Sequence, residues 1–101
     1  MEELDKETIK DATRGTCIID FWAPWCGPCK MQGPILEQAD KEHDDVRICK
    51  VNVDEHKDLA QEHGVSGIPT LVFYKDGEEV HRHSGVMMKD QLDKAIEERL
   101  S

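Results

Sequence analysis

A run of seven mostly apolar residues, Cys17–Ala23, ends at a segment in which two prolines bracket a cysteine. This near-continuous apolar run predicts a β-strand that is buried on both faces, as in a sheet covered by helices. Pro24 cannot continue that strand, and Pro28 has the fixed φ that suits the first turn of a helix. The strand therefore delivers the sequence Cys26-Gly27-Pro28-Cys29 to the start of a helix.

The remaining patterns predict one element for each segment of the chain. The predicted elements are a helix over 3–13, the strand over 17–23, a helix running to about His43 with a kink at Pro34, a strand over 46–53, a helix over 55–63 capped by Asp54 and closed by Gly64, strands over 71–74 and 79–83 joined by a turn at 75–78, and a helix over 89–100 whose first position, Met88, cannot cap it. This order predicts the α/β class, with a central mixed sheet of four strands and helices on both of its faces. A chain of 101 residues holds one such domain, spanning residues 1–101.

The charge and the hydropathy of the chain argue against nucleic acids and membranes as binding partners. The 22 acidic and 13 basic residues give a net charge of −9, which argues against a nucleic-acid partner, because phosphate backbones need clustered Lys and Arg. No apolar run approaches the ~20 residues that a membrane span requires. The first residues also lack the apolar core of a signal peptide. We therefore expect a cytoplasmic protein that binds neither nucleic acid nor membranes.

The position of the cysteine pair points to redox chemistry. Backbone N–H groups and the macrodipole at a helix N-terminus stabilise a thiolate. We expect Cys26, just ahead of the first turn, to be exposed, to have a lowered pKa and to attack disulfides. Cys29, inside the turn, is then the shielded thiol that resolves the mixed disulfide. Cys17 and Cys49 lie in apolar runs and are predicted to be buried and inert.

A Cys-x-x-Cys pair alone leaves other functions open. The spacing of Cys26, Cys29, His43 and Cys49 is compatible with a zinc-binding module. A disulfide isomerase or oxidant, or a binding protein whose cysteines are idle, would use the same pair. A zinc module would carry stoichiometric metal, whereas Cys26→Ser would abolish a redox function and leave a binding function intact.

Several separated motifs resemble the thioredoxin family. The stretch over residues 18–34 is similar to the family's active-site signature, and Gly67-Ile68-Pro69-Thr70 resembles its cis-proline loop. A Lys75-Asp76-Gly77 turn and a Ser84-Gly85 pair follow in the family's order, so that the resemblance covers roughly residues 4–100. It implies the thioredoxin fold, in which a further strand precedes the first helix. Here that fifth strand is expected to be short or missing.

The resemblance also assigns roles to individual residues. It implies that Asp20, which interrupts the buried strand, relays a proton to or from Cys29, and that Lys50 on the next strand lies near Asp20 and titrates together with it. It implies a cis Ile68-Pro69 bond beside the disulfide. The implied apolar docking surface for target proteins comprises Trp25, Gly27, Pro28, Ile68, Pro69, Gly85 and Val86.

The pair between the cysteines indicates the direction of electron flow. Gly27-Pro28 is the pair found in reductant thioredoxins, whereas isomerases and bacterial oxidants carry a His there. The chain is therefore expected to reduce disulfides in target proteins as a monomer, with the Cys26–Cys29 disulfide as its only redox group and with no metal or other cofactor. The resemblance implies re-reduction by a thioredoxin reductase, either an NADPH-dependent flavoprotein or a ferredoxin-linked enzyme.

Overall fold

A computed structural model describes all 101 residues. Five strands and four helices alternate along the chain. They are β1 (Glu2–Glu3), α1 (Thr8–Ala12), β2 (Cys17–Trp22), α2 (Gly27–Glu42), β3 (Arg47–Asn52), α3 (Lys57–Glu62), β4 (Thr70–Lys75), β5 (Glu78–Ser84) and α4 (Lys89–Leu100). None of these helices is long and apolar enough to cross a membrane.

The strands form one mixed sheet in the order β1-β3-β2-β4-β5. The strand pairs β1–β3 and β2–β3 are parallel, and β2–β4 and β4–β5 are antiparallel. Strand β2 lies at the centre, and its residues Cys17 to Phe21 are all buried, as its apolar run predicts. The redox segment therefore follows the most enclosed strand of the sheet.

Two apolar clusters cover the two faces of the sheet. On one face, Ile18 and Phe73 pack with buried residues of α2 and α4. On the other face, Ile19 and Phe21 pack with buried residues of α1 and α3. Alternation along β2 puts Asp20 on the same face as Ile18, beneath α2. The predicted fold class and the helices on both faces are confirmed.

The N-terminal segment differs from the predicted helix over 3–13. Glu2 and Glu3 pair with Cys49 and Lys50 as a two-residue fifth strand. Helix α1 begins only at Thr8, because the Asp5 carboxylate accepts hydrogen bonds from the backbone N–H groups of Glu7 and Thr8 at 2.9 Å each. Asp5 therefore caps the entrance of this helix, so that the helix does not extend back to residue 3.

The start of α3 also differs from the prediction. The helix begins at Lys57, and Asp54 does not cap it. The Asp54 carboxylate instead accepts a hydrogen bond from the indole of Trp25 at 2.7 Å. The predicted stop is correct, because Gly64 follows the helix with a φ of +65°, a conformation that favours glycine.

Two further predictions concern helices, at Pro34 and at Met88. Helix α2 continues as one element through Pro34. Met88 provides no side-chain cap for α4, but the Gln91 side chain accepts its backbone N–H at 3.4 Å. His81 is only partly exposed, since its ring meets that of Phe73 edge-on at a centroid distance of 5.2 Å.

Candidate active site

The cysteine pair begins helix α2. Cys26 is the N-cap residue with an extended backbone (φ −85°, ψ 113°), and Pro28 occupies the first turn. Cys26 and Cys29 form a disulfide with a Cα–Cα separation of 5.2 Å. The backbone N–H of Cys29 donates to the Cys26 sulfur at 3.2 Å. A hydrogen bond of this kind would also stabilise a thiolate on Cys26 once the disulfide is reduced.

The two cysteines are almost equally enclosed in the oxidised structure. Cys26 is 5% exposed and Cys29 is 4% exposed, so the expected contrast in exposure is wrong for this state. The reason is tertiary packing, since both side chains pack against Ala23 with Trp22, Val53 and Ile68 beside them. The neighbours Gly27 and Pro28 are exposed, so the chain is open to solvent between the two cysteines.

A cis-proline loop lies against the disulfide. The Ile68-Pro69 peptide bond is cis, as the resemblance implied. The Ile68 carbonyl oxygen lies 3.9 Å from the Cys26 sulfur. The backbone N–H of Gly85 donates to the Pro69 carbonyl at 2.8 Å, which ties the segment after β5 to this loop. The Ile68 backbone thus borders the Cys26 sulfur, and the segment after β5 is attached to the same loop.

The residues expected to form the docking surface differ in exposure. Trp25 is 68% exposed, Gly85 is exposed, and Ile68 and Val86 are partly exposed, whereas Pro69 is buried. The Trp25 indole is fixed by its hydrogen bond to Asp54. A groove of about 400 Å³ runs from Trp25 and Ile68 towards α3. The structure thus presents apolar side chains on the surface close to the disulfide.

Asp20 is a buried carboxyl group, 2% exposed, with one oxygen, Oδ1, that has no hydrogen-bond partner. Burial raises the pKa of Asp20 to about 7, and the positive charge of Lys50 opposes part of that increase. Lys50 is paired with Asp20 in the β2–β3 register. Its ammonium lies 3.8 Å from Glu3 and 4.8 Å from the centre of the Trp22 ring, so it does not bind Asp20 directly.

A small cleft connects Asp20 with the disulfide. It has a volume of about 170 Å³ and is lined by Asp20, Cys29, Trp22 and Lys50 among others. The Trp22 indole nitrogen is a second buried polar atom without a partner. The cleft is large enough to hold water, and both partnerless atoms belong to residues that line it. Asp20 and Cys29 therefore border the same small cleft.

The structure separates the residues of the zinc alternative. His43 follows the far end of α2, about 20 Å from Cys29 at 1.5 Å per residue, and its ring nitrogen lies 2.9 Å from Asp93. Cys17 and Cys49 are completely buried. Burial raises the pKa of Cys17 to about 12 and also raises the pKa of Cys49, so both remain protonated thiols at neutral pH.

Two residues near the site were missed by the sequence analysis. Asp54 holds the Trp25 indole, and Gln32 is a buried polar residue on α2 whose side chain binds the backbone of Met87. Gln32 carried a usable signal, because it is a polar residue among the inward positions of an amphipathic helix. Asp54 carried none, because its partner lies 29 residues away.

Comparison with known proteins identifies the family. The family model described as Thioredoxin matches residues 2–98. Thioredoxin of Bacillus subtilis is 42% identical over 101 residues, which cover 99% of this chain and 97% of the relative. Thioredoxin of Chlamydia caviae is 51% identical over 82 residues, covering 81% of this chain and 80% of the relative. A solved structure of a Halobacterium salinarum thioredoxin variant superposes with a TM-score of 0.91 at 37% identity, covering 99% of this chain and 90% of that one.

The Bacillus subtilis relative matches almost the whole chain, and the cysteine pair forms a disulfide at the N-terminus of α2. Neither the zinc-binding nor the isomerase alternative is favoured by these findings. The chain belongs to the thioredoxin family and is a protein thiol–disulfide oxidoreductase.

Proposed function

We propose that the protein reduces disulfides in target proteins, with Cys26 as the attacking thiolate and Cys29 as the resolving thiol. The observation that carries this assignment is the position of Cys26 as the N-cap of α2, where its sulfur accepts the Cys29 N–H. The helix terminus and that hydrogen bond favour negative charge on Cys26. Cys29 lies within the first turn, next to the cleft that it shares with Asp20.

The reaction proceeds in two exchanges. The Cys26 thiolate attacks one target sulfur, so that the target disulfide breaks, a Cys26–target disulfide forms, and the departing target thiolate takes up a proton. The Cys29 thiolate then attacks Cys26, which closes the Cys26–Cys29 disulfide and releases the second target sulfur. The target gains two electrons and two protons, and the protein ends in the oxidised form.

Asp20 is the proposed acceptor of the Cys29 proton before the second exchange. A carboxyl group with a pKa of about 7 exchanges protons readily near neutral pH. The shared cleft and the free Asp20 oxygen support this route. Lys50 adjusts the pKa of Asp20 by its charge from the neighbouring strand. Asp20→Asn should slow the second exchange and leave the first one unchanged.

The docking surface proposed for target proteins comprises Trp25, Gly27, Pro28, Ile68, Pro69, Gly85 and Val86. Trp25, Gly27 and Pro28 adjoin the cysteines in the chain, and the Ile68 backbone beside Cys26 can pair with an extended target segment. Family membership implies protein disulfide targets and a reductase in general. We extend this to a monomer acting in the cytoplasm, re-reduced by a flavoprotein or ferredoxin-linked reductase, which turnover with each enzyme would distinguish.

The order of the two exchanges is tested with insulin and dithiothreitol. Wild-type protein and a Cys17→Ser control should accelerate insulin reduction, whereas Cys26→Ser and Cys29→Ser should not. Mass spectrometry of Cys29→Ser should find a trapped insulin adduct on Cys26. An adduct that accumulates on Cys29 in the Cys26→Ser variant instead would reverse the roles, and a folded wild-type protein without activity would refute the reductant function.

A further inference from the structure

Gln32 is a polar residue at a fully buried position of the redox helix. The inward face of α2 consists of Cys29, Gln32, Leu36 and Ala39, and Gln32 is 0% exposed. Burying an amide without hydrogen bonds is unfavourable, so an apolar side chain would be the simpler choice at this position. The amide must therefore be compensated by specific partners.

Both partners of the Gln32 side chain belong to one residue. The Gln32 Nε2 donates to the Met87 carbonyl oxygen at 3.1 Å, and the Met87 N–H donates to the Gln32 Oε1 at 2.7 Å. Met87 is itself buried and lies between β5 and α4, outside any strand. The amide thus pairs with the backbone as a neighbouring strand would, across 55 residues of sequence.

This pairing fixes the segment that carries Val86. On one side of Val86, the Gly85 N–H donates to the Pro69 carbonyl of the cis-proline loop. On the other side, Met87 is held by Gln32, which lies one helical turn after Cys29. Val86 is therefore held between two attachments, one to the cis-proline loop and one to the helix that begins with the disulfide.

We propose that Gln32 is a positioning residue that sets the Gly85–Met87 segment relative to the Cys26–Cys29 pair, and thereby sets the affinity for protein disulfides. The inference rests on the proposed docking role of Gly85 and Val86. Gln32 does not reach the reacting sulfurs in this role. It acts through the backbone of Met87, so its contribution is confined to targets large enough to contact the segment after β5.

The test compares a protein disulfide with a small one. In Gln32→Leu, which has a similar volume and no hydrogen bonds, the KM for insulin in the dithiothreitol assay should rise about five- to tenfold, because two buried hydrogen bonds are lost. The kcat for insulin should change less than about twofold, as should the rate of the reduced protein with dipyridyl disulfide, because small disulfides need only the sulfurs. Gln38→Leu, an exposed change on the same helix, should behave as wild type.

A second variant covers the case in which Gln32→Leu does not fold. Gln32→Met keeps an unbranched side chain of nearly the same length and shape without the hydrogen bonds, and should raise the KM for insulin by a similar factor. Amide hydrogen exchange should show selective loss of protection at Met87 in either folded variant. An unchanged KM, or an equal loss of rate with dipyridyl disulfide, would overturn the inference.

A third variant separates this inference from the proposed function. Val86→Ser alters the docking surface directly and should raise the KM for insulin without involving Gln32. If Val86→Ser raises the KM and Gln32→Leu does not, the positioning role is refuted and the docking surface stands. If neither variant changes the KM, the docking surface itself is wrong, and the inference fails with it.

Discussion

Asp20 combines a cost in stability with a use in catalysis. It lies on the central strand, 2% exposed, and one of its oxygens has no hydrogen-bond partner. Burial disfavours the charged carboxylate and raises the pKa to about 7, while Lys50 compensates only in part. The same property that destabilises the ionised protein gives the carboxyl group a pKa suited to proton exchange at neutral pH.

Asp20→Asn should therefore stabilise the oxidised protein in a pH-dependent way. Between the unfolded pKa of 3.8 and the folded pKa of about 7, the folded state holds a proton that the unfolded state has lost. The unfolding free energy of the wild type thus falls as the pH rises through this window and loses no more above it. Removing the carboxyl group should add on the order of 4 kcal/mol at pH 8 and much less at pH 4.

Denaturant titrations of both proteins across that range measure this difference. Asp40→Asn, an exposed change on α2, is the matched control and should show no comparable pH-dependent gain. A constant difference between wild type and Asp20→Asn from pH 4 to pH 8 would contradict a raised pKa at Asp20.

The Trp25–Asp54 hydrogen bond orients an exposed indole beside the disulfide. Asp54→Ala should leave stability within about 1 kcal/mol, because the bond lies at the surface. It should, however, allow the indole to move on the nanosecond timescale. Fluorescence anisotropy decay in a Trp22→Phe background, where Trp25 is the only indole, should show a faster local component. The same decay with and without Asp54 would show that the bond does not restrain the ring.

At the scale of elements, Arg82 joins the edge strand β5 to the short helix α3. Its guanidinium donates to the carbonyls of His63 at 2.7 Å and Gly64 at 3.2 Å, and it pairs with Glu79 at 2.8 Å. Carbonyls at a helix C-terminus have no partner within the helix, and a cation there is favourable. A helix of six residues depends on such contacts, because it is too short to be stable alone.

Arg82→Met should lower the unfolding free energy by about 1–2 kcal/mol, because it removes these charged hydrogen bonds while retaining an aliphatic chain. Hydrogen exchange should accelerate in α3 more than in β2 or β4. Arg82→Lys keeps the positive charge but cannot donate to both carbonyls at once. Its unfolding free energy should therefore lie between those of the wild type and Arg82→Met. If hydrogen exchange accelerated equally in α3, β2 and β4, the substitution would destabilise the whole domain, and Arg82 would not act as a cap of α3.

The sequence was sufficient to predict the bounds of elements whose hydrophobic pattern reflects which side chains are buried. Strand β2 and helix α4 were predicted to within one residue because their apolar patterns match the buried faces observed. Helix ends were less predictable where one polar side chain decides them. The Asp5 side chain accepts backbone N–H groups at the entrance of α1, so this helix begins later than predicted. The Asp54 side chain accepts the indole N–H of Trp25 and does not cap α3. A short polar residue has the same local sequence signal whether it caps a helix or binds a distant partner.

The redox pair could be predicted from the sequence because its chemistry depends on neighbouring residues. A cysteine, a proline and a strand end fix the start of α2 locally. The position of the Gly85–Met87 segment beside the active site could not be predicted from its local sequence. That position depends on hydrogen bonds to Gln32 and Pro69, which are distant in sequence. The contrast in exposure between the cysteines failed for a similar reason, because Ile68 covers the pair from another loop.

At the scale of the whole molecule, acidic side chains outnumber basic ones, and most of them have no ion-pair partner. Only six of the 22 carboxylates take part in ion pairs: Glu2, Glu3, Asp11, Glu42, Glu79 and Asp93. A cleft of about 500 Å³ between α2 and α4 gathers further acidic side chains, including Asp45 and Glu97. With a radius of gyration of 12.1 Å, most of these charges lie within one Debye length, ~30 Å at 0.01 M salt.

Salt should therefore stabilise the protein near neutral pH. Raising NaCl from 0.01 M to 0.3 M screens the repulsion of a net charge of −9 and should raise the unfolding free energy by about 1 kcal/mol, since the exposed ion pairs that salt also weakens contribute less. Urea titrations at the two concentrations measure the change. The variant Asp45→Asn/Glu97→Gln removes two charges from the acidic cleft and should show a smaller increase. A fall in wild-type stability with salt would mean that the ion pairs, and not the excess of carboxylates, dominate the electrostatics of this fold.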